Sequence, residues 1–253
     1  MNPAGPPRQW VAPSFSSAAA DERVGSTERN SFFADPDSDA VGFVLAGGQS
    51  SRMGRDKALL EFAGKPLVAH ALSILEEAGI PAAIAGAPSP ARASLEAFVP
   101  VIEDASPGLG PLSGICTALS ATTARYAVFL PIDQPLLPPS LIVFLLRHAR
   151  ITGSTVTVPS VSGFTQTFPA VLDRAALPAL ENELDAQRNG CFSAFQAASA
   201  ALGQPVGSIA VELLAQAGEV SHPLGLPPVS WFLNLNTQDD LERAKALSGR
   251  RIA

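Results

Sequence analysis

From Ala40 onward, short apolar runs alternate with segments whose apolar residues recur at helical spacing. That alternation is the pattern of a mostly parallel sheet covered by helices on both faces. Val41 to Leu45 reads as the first strand. In Leu67 to Gly79, the residues Leu67, Val68, Ala71, Leu72, Leu75 and Ala78 share a helical face, and Gly79 supplies the stop. Pro81 to Ala85 and Val99 to Ile102 read as short strands. Pro111 suits the first position of a helix in which Leu112, Ile115, Cys116 and Leu119 lie on one face, so Cys116 is expected in the core.

Tyr126 to Leu130 is an unbroken apolar run, as a strand buried on both faces requires, and it stops at Pro131-Ile132-Asp133. A helix beginning near Pro138 or Pro139 follows, and Ser154 to Val158 returns as a strand. Phe164 to Leu172 reads as an edge strand, because Pro169 cannot donate to a fully paired ladder. Helical patterns occupy 175–183 and 191–202, with a turn at Asn189-Gly190 before the second. The proline-rich stretch 204–230 holds one convincing short element, Ile209 to Ala217. Trp231 to Leu235 reads as a last strand, and Asn236 or Thr237 caps a final helix with Asp240 at capping-box spacing.

The fold class expected is therefore α/β: a three-layer, mostly parallel sheet with a Rossmann-like nucleotide-binding half. Residues 1–39 are rich in Pro, Ser, Ala and charge and are expected to form a disordered tail, with a single domain over 40–253. That opening lacks the apolar run of a secretory signal, and no later apolar run is long enough for a bilayer, so a cytoplasmic protein is expected. Cys116 and Cys191 are far apart and outside any C-x-x-C spacing, which suggests neither a disulfide framework nor a thiolate metal site. A net charge of −6 argues against a general nucleic-acid binder, which needs basic surface to displace counterions.

Candidate chemistry concentrates in Leu45-Ala46-Gly47-Gly48-Gln49-Ser50-Ser51-Arg52-Met53-Gly54-Arg55-Asp56-Lys57, a glycine-rich loop leaving the first strand. Gly47 and Gly48 permit close approach of backbone N–H groups to an anion, and Arg52 and Lys57 supply counter-charge. The segment matches neither G-x-x-x-x-G-K-[ST] nor G-x-G-x-x-G, so the usual ATPase and dehydrogenase readings lose support. On these residues alone, a tight strand-to-helix connection is equally open. Asp133 ends an apolar strand, where open α/β sheets place ligands, and a hard carboxylate there suits Mg²⁺; a turn-capping role is the plainer reading. Glu103 and Asp104 adjoin just past another strand, so on extended backbone only one of them can face a site. His70, His148 and His222 share no spacing, and no Ser-His-Asp or Cys-His set can be assembled.

The loop resembles the signature of the molybdenum cofactor guanylyltransferases, close to L-A-G-G-x-S-x-R-M-G-x-D-K, and matches it throughout. Gly64-Lys65-Pro66-Leu67, Val101-Ile102-Glu103-Asp104, Gly110-Pro111-Leu112-Ser113-Gly114, Asp133-Gln134-Pro135 and Asn234-Leu235-Asn236-Thr237 extend the likeness from about Val41 to Leu247. The resemblance implies transfer of GMP from GTP to the phosphate of a molybdopterin-type acceptor, with Mg²⁺ as cofactor. It also implies molybdoenzyme assembly proteins as candidate partners. Leu45, Ala46, Gly47, Gly48, Lys57, Asp104 and Asp133 would bind the nucleotide, Asp133 would hold the metal, and Lys57, Arg52 and Asp133 would form the catalytic set. Gln166 falls where the family has a substrate-facing segment.

Where those enzymes often carry an asparagine after the second strand, this chain has Ala85-Gly86-Ala87-Pro88. Asn234-Leu235-Asn236-Thr237 looks like the guanylyltransferases rather than the related cytidylyltransferases, which tend to have an aspartate early in this segment. A cytidylyltransferase, or another nucleotidyltransferase acting on a small phosphorylated acceptor, is the nearest alternative. A non-catalytic nucleotide-binding module in molybdoenzyme assembly is the alternative of a different class; the full set of Arg52, Lys57 and Asp133 argues against it.

Overall fold

The computed structural model describes residues 38–46, 57–86, 89–106 and 108–249. Two apolar runs set the centre of the fold, β1 (Ala40–Leu45) and β6 (Tyr126–Pro131), which pair in parallel with Phe43 opposite Phe129. Strands with large apolar residues on both faces need cover on both sides, and the alternation of side chains divides that demand. Ala40, Val44, Tyr126, Val128 and Leu130 point into one core, and Val41, Phe43, Leu45, Ala127 and Phe129 into the other.

Around this pair stand β4 (Ala82–Ala85), β5 (Val101–Ile102), β7 (Val156–Val161), β8 (Phe164–Thr165), β9 (Ala170–Asp173) and β10 (Gly207–Ala210). The sheet order is β10, β7, β9, β6, β1, β4, β5, with β8 paired to β7. All pairings are parallel except those of β9 with β6 and β7 and of β8 with β7. The short strands β2 (Glu61–Phe62) and β3 (Lys65–Pro66) form a separate hairpin. Helices α1 (Leu67–Glu77), α4 (Pro139–Thr152), α7 (Val211–Gln216), α8 (Pro228–Trp231) and α9 (Gln238–Ser248) contribute to one core. Helices α3 (Pro111–Ser120), α5 (Leu177–Asp185) and α6 (Cys191–Ala201) contribute to the other, and α2 (Ser89–Leu95) precedes β5. The expected three-layer α/β architecture is thus present, and Cys116 is buried in the second core.

Local chemistry accounts for several element ends. Gly110 precedes Pro111 at φ 83°, ψ −173°, a conformation that only glycine adopts readily, so the chain can turn abruptly into α3. Thr237 and Asp240 form a reciprocal capping box at the start of α9, as their spacing suggests. Of the expected tail, Ser38 and Asp39 are described: the Asp39 carbonyl accepts the Tyr126 N–H at 2.9 Å, and its carboxylate pairs with Arg150. Among the described residues, no helix is long and apolar enough to cross a membrane.

Three expectations need correction. Phe164 to Leu172 is not one edge strand: it divides into β8 and β9, and β9 lies inside the sheet between β6 and β7. Pro169 directly precedes β9, so its missing N–H costs the ladder nothing. Trp231 to Leu235 is not a strand. Pro228 starts the short helix α8 instead, and the Trp231 indole N–H donates to the Leu226 carbonyl at 2.7 Å while its ring joins the core. Ile209 to Ala217 divides into the edge strand β10 and α7.

Gly42 shows how tightly α1 seats on β1. A Cβ there would lie 2.6 and 2.7 Å from the two Cδ atoms of Leu75, which is fully buried. Gly42→Ala is expected to cost about 1–3 kcal/mol through overpacking, measurable as a lowered urea midpoint at unchanged m-value; an unchanged midpoint would mean that Leu75 repacks freely.

Candidate functional site

The sequence crosses from β1 to β4 and β5 on one side and reaches β6 on the other, so the winding reverses between β1 and β6. Open α/β sheets bind ligands outside the carboxyl ends of their strands at such a point. The parallel register places Leu45 opposite Pro131, so both strands end together there. Lys57 returns to this edge at the start of a 3-10 turn, Lys57–Leu59, which is pinned by buried Ala58 and by the Leu60 N–H donating to the Lys57 carbonyl at 3.1 Å. Asp133 is held by its neighbours Ile132, Leu136 and Leu137, all buried.

These two residues meet. Lys57 Nζ donates to Asp133 Oδ2 at 2.9 Å and to Asn236 Oδ1 at 2.7 Å, with 14% of the lysine and 23% of the aspartate side chain exposed. A cation and a carboxylate so placed can serve an anionic ligand and a hard metal ion respectively. Gly47, Gly48 and Arg52 lie outside the described residues.

Asn236 was not among the site residues expected from sequence. Its segment docks on the strand end: Leu235 N–H donates to the Asp133 carbonyl at 2.9 Å, and Gln134 Nε2 donates to Asn234 Oδ1 at 3.1 Å. Leu235 is buried between exposed Asn234 and Asn236, the alternation of an extended chain. The signal was present in the Asn-Leu-Asn spacing, which puts both amides on one face. Gln134 Oε1 is buried with no hydrogen-bond partner among the described residues. Beside these amides, a cleft of about 430 Å³ opens between α8 and α9, lined by Val229, Phe232 and Leu247 and by Asn234, Asn236 and Arg243.

At the end of β5, Glu103 and Asp104 diverge as their adjacency requires. Glu103 pairs with Arg92, whereas Asp104 Oδ1 accepts the Ser106 N–H at 3.0 Å and the Ser113 hydroxyl. Both of these bonds go to Oδ1 and hold the turn that follows β5. Three strand spacings separate Asp104 from β6, about 14 Å, a span that an extended nucleotide can bridge. Ala46 N–H donates to the Ala85 carbonyl at 3.0 Å, so any polar contact from Ala46 to a ligand runs through its carbonyl oxygen. Gly86, at the expected asparagine position, packs on α3: a Cβ on Gly114 would lie 3.6 Å from the Gly86 Cα. Gln166 turns its amide back to the Phe164 carbonyl at 3.2 Å.

The donor set fits a magnesium-type ion that keeps water and phosphate ligands. Asp133 and Asn236 offer hard oxygens, and among the described residues no group of three His, Cys, Asp or Glu could form a complete protein cage.

Residues 42–204 match the family model described as MobA-like NTP transferase domain. The chain belongs to this family. It is therefore a nucleotidyltransferase by family. It is 34% identical over 220 residues to a protein of Haloferax mediterranei named probable molybdenum cofactor guanylyltransferase, covering 85% of this chain and 96% of that one. A molybdenum cofactor guanylyltransferase of Xanthomonas euvesicatoria is 41% identical over 111 residues, which is 44% of this chain and 55% of that one. The crystal structure of molybdopterin-guanine dinucleotide biosynthesis protein A from Archaeoglobus fulgidus has the same fold, with a TM-score of 0.65 at 22% identity, over 82% of this chain and 97% of that one.

In this nucleotidyltransferase His70 packs against Phe62 and His148 against Phe144, whereas His222 braces the site. His222 donates Nε2–H to the Leu136 carbonyl at 3.0 Å, accepts the Leu224 N–H at Nδ1 at 3.0 Å, and stacks on Trp231. Burial pushes its pKa below the ordinary 6.5, outweighing the Leu136 bond, and burial lowers His70 likewise. Below pH 6.5 the unfolded chain therefore binds more protons than the folded one, so this stabilisation is complete above 6.5 and lost as pH falls through the folded values. The urea midpoint is expected to drop as pH falls below 6.5, and to drop less steeply in His222→Gln; identical slopes would assign the loss to other groups.

Proposed function

We propose that the protein is a Mg²⁺-dependent guanylyltransferase that moves GMP from GTP onto the terminal phosphate of a molybdenum-bound molybdopterin and releases pyrophosphate. The observation that carries this reading is the contact of Lys57 Nζ with Asp133 Oδ2, 2.9 Å, at the carboxyl ends of β1 and β6. The names of the relatives support the choice of guanine and of the acceptor. Both cysteines are free, in keeping with a cytoplasmic protein, the location this reading adopts.

In the proposed reaction, an acceptor phosphate oxygen bonds to the α-phosphorus of GTP while the bond from that phosphorus to the bridging oxygen breaks, and pyrophosphate leaves. The acceptor is already anionic, so no enzyme nucleophile is required. What the chain must do is align two anions and neutralise the charge that develops. Lys57 binds the phosphates, joined by Arg52 and the amides of Gly47 and Gly48 on the strength of the sequence motif. Asp133 holds Mg²⁺, which when bound supplies further neutralisation of phosphate oxygens. Leu45, Ala46 and Asp104 contact the nucleoside; a carbonyl oxygen such as that of Ala46 accepts from the N–H groups of guanine.

Lys57→Ala and Asp133→Ala are each expected to fold yet lose at least about 3 kcal/mol of transition-state stabilisation, a rate loss on the order of a hundredfold or more. Pyrophosphate release from GTP, Mg²⁺ and molybdopterin measures it; near-normal turnover in either variant would remove the residue from the catalytic set, and no release by the wild type would favour a non-catalytic module. Thermal unfolding should shift upward with GTP and Mg²⁺ and not with CTP and Mg²⁺; the opposite selectivity would make the protein a cytidylyltransferase.

A further inference from the structure

The two roles proposed for Lys57 and Asp133 conflict in the geometry described. Asp133 Oδ2 carries an ammonium group at 2.9 Å, and the same ammonium is anchored at 2.7 Å to Asn236 Oδ1, which offers the other hard oxygen nearby. Magnesium or manganese bonds a carboxylate oxygen at about 2.0–2.2 Å, so a dication on Asp133 would sit directly against the lysine cation. Two positive groups cannot share those oxygens without strong repulsion in a pocket where only 14% of the lysine side chain is exposed. Something must draw Lys57 away, and a triphosphate is the anion that this reading brings to the site.

We propose that Lys57 is the resident counter-ion of Asp133, which denies the carboxylate to a divalent cation until a nucleotide triphosphate draws the ammonium off. Asn236 is the pivot. As a neutral acceptor it holds the ammonium near the site without competing for the incoming charge, and its own place is fixed by Leu235 on the Asp133 carbonyl and by Asp240, which accepts the Asn236 N–H at 3.1 Å. The device balances the Asp133 charge before nucleotide arrives and couples metal entry to nucleotide entry. The inference rests on the metal role assigned to Asp133 above, and its central measurement involves no transfer reaction.

The test is Mn²⁺ binding to the full chain, counted from the free-ion electron paramagnetic resonance signal, first without nucleotide. Lys57→Met is expected to bind Mn²⁺ at least tenfold more tightly than wild type, and the added Asp133→Asn change to abolish the gain. Circular dichroism and a thermal melt establish that each variant folds. Equal affinity of wild type and Lys57→Met, whether strong or weak, overturns the proposal, as does a gain that survives Asp133→Asn. With GTP present, after subtraction of the Mn²⁺ that the same nucleotide binds in a protein-free control, wild type is expected to reach at least the affinity of nucleotide-free Lys57→Met. If the nucleotide-free comparison holds but CTP rather than GTP produces this rise, the counter-ion device stands and the guanylyl assignment fails. If no nucleoside triphosphate produces it, the coupling itself is overturned.

Discussion

The parallel pairing of β1 with β6 is the constraint from which the rest of the site follows. Hydrogen bonding in register from Ala40 against Tyr126 to Leu45 against Pro131 makes two strands far apart in sequence end at one level. Whatever follows each strand is then delivered to the same edge of the sheet. Because the chain winds away from β1 in both directions, none of the described helices follows directly from that edge, which is where open α/β sheets take ligands. The helices contribute indirectly: they bury the strands' large side chains on both faces, fixing the height at which Lys57 and Asp133 emerge.

Much of this architecture could be read from residues. The central strands announced themselves by unbroken apolar runs, α1 and α3 by helical spacing, and α9 by its capping pair. The errors have one cause. Local propensity makes Pro169 a mark of an edge strand and the run from Trp231 to Leu235 a strand, while their conformations are decided by partners elsewhere. Pro169 stands one residue outside a ladder whose neighbours are β6 and β7, and the apolar residues after Pro228 satisfy helices and a loop rather than strands. Sequence reports which residues need burial; it does not report what buries them.

The candidate site divides in the same way. Lys57 and Asp133 were legible because each belongs to a compact motif with its own chemical rationale. Their contact was not, since they stand 76 positions apart and no local rule spans that distance. Asn236 is further away still, 179 positions from Lys57, and was visible only as half of an Asn-Leu-Asn alternation whose partner surface had not been identified. The Gln134 amide bonded to Asn234 is the matching half of that surface. Asp104 is the opposite case, because its turn bonds are local and could be anticipated from its place before Ser106.

The alternation around Leu235 carries a consequence for how this region can diverge among related chains. Leu235 points inward and its two asparagine neighbours outward, while the capping box starts α9 immediately afterwards. Losing or gaining a single residue between Phe232 and Asn236 would exchange inside for outside and turn an amide into the core. The spacing of this short connector should therefore tolerate drift less than the identities of most residues around it, and insertions should gather in the proline-rich stretch upstream.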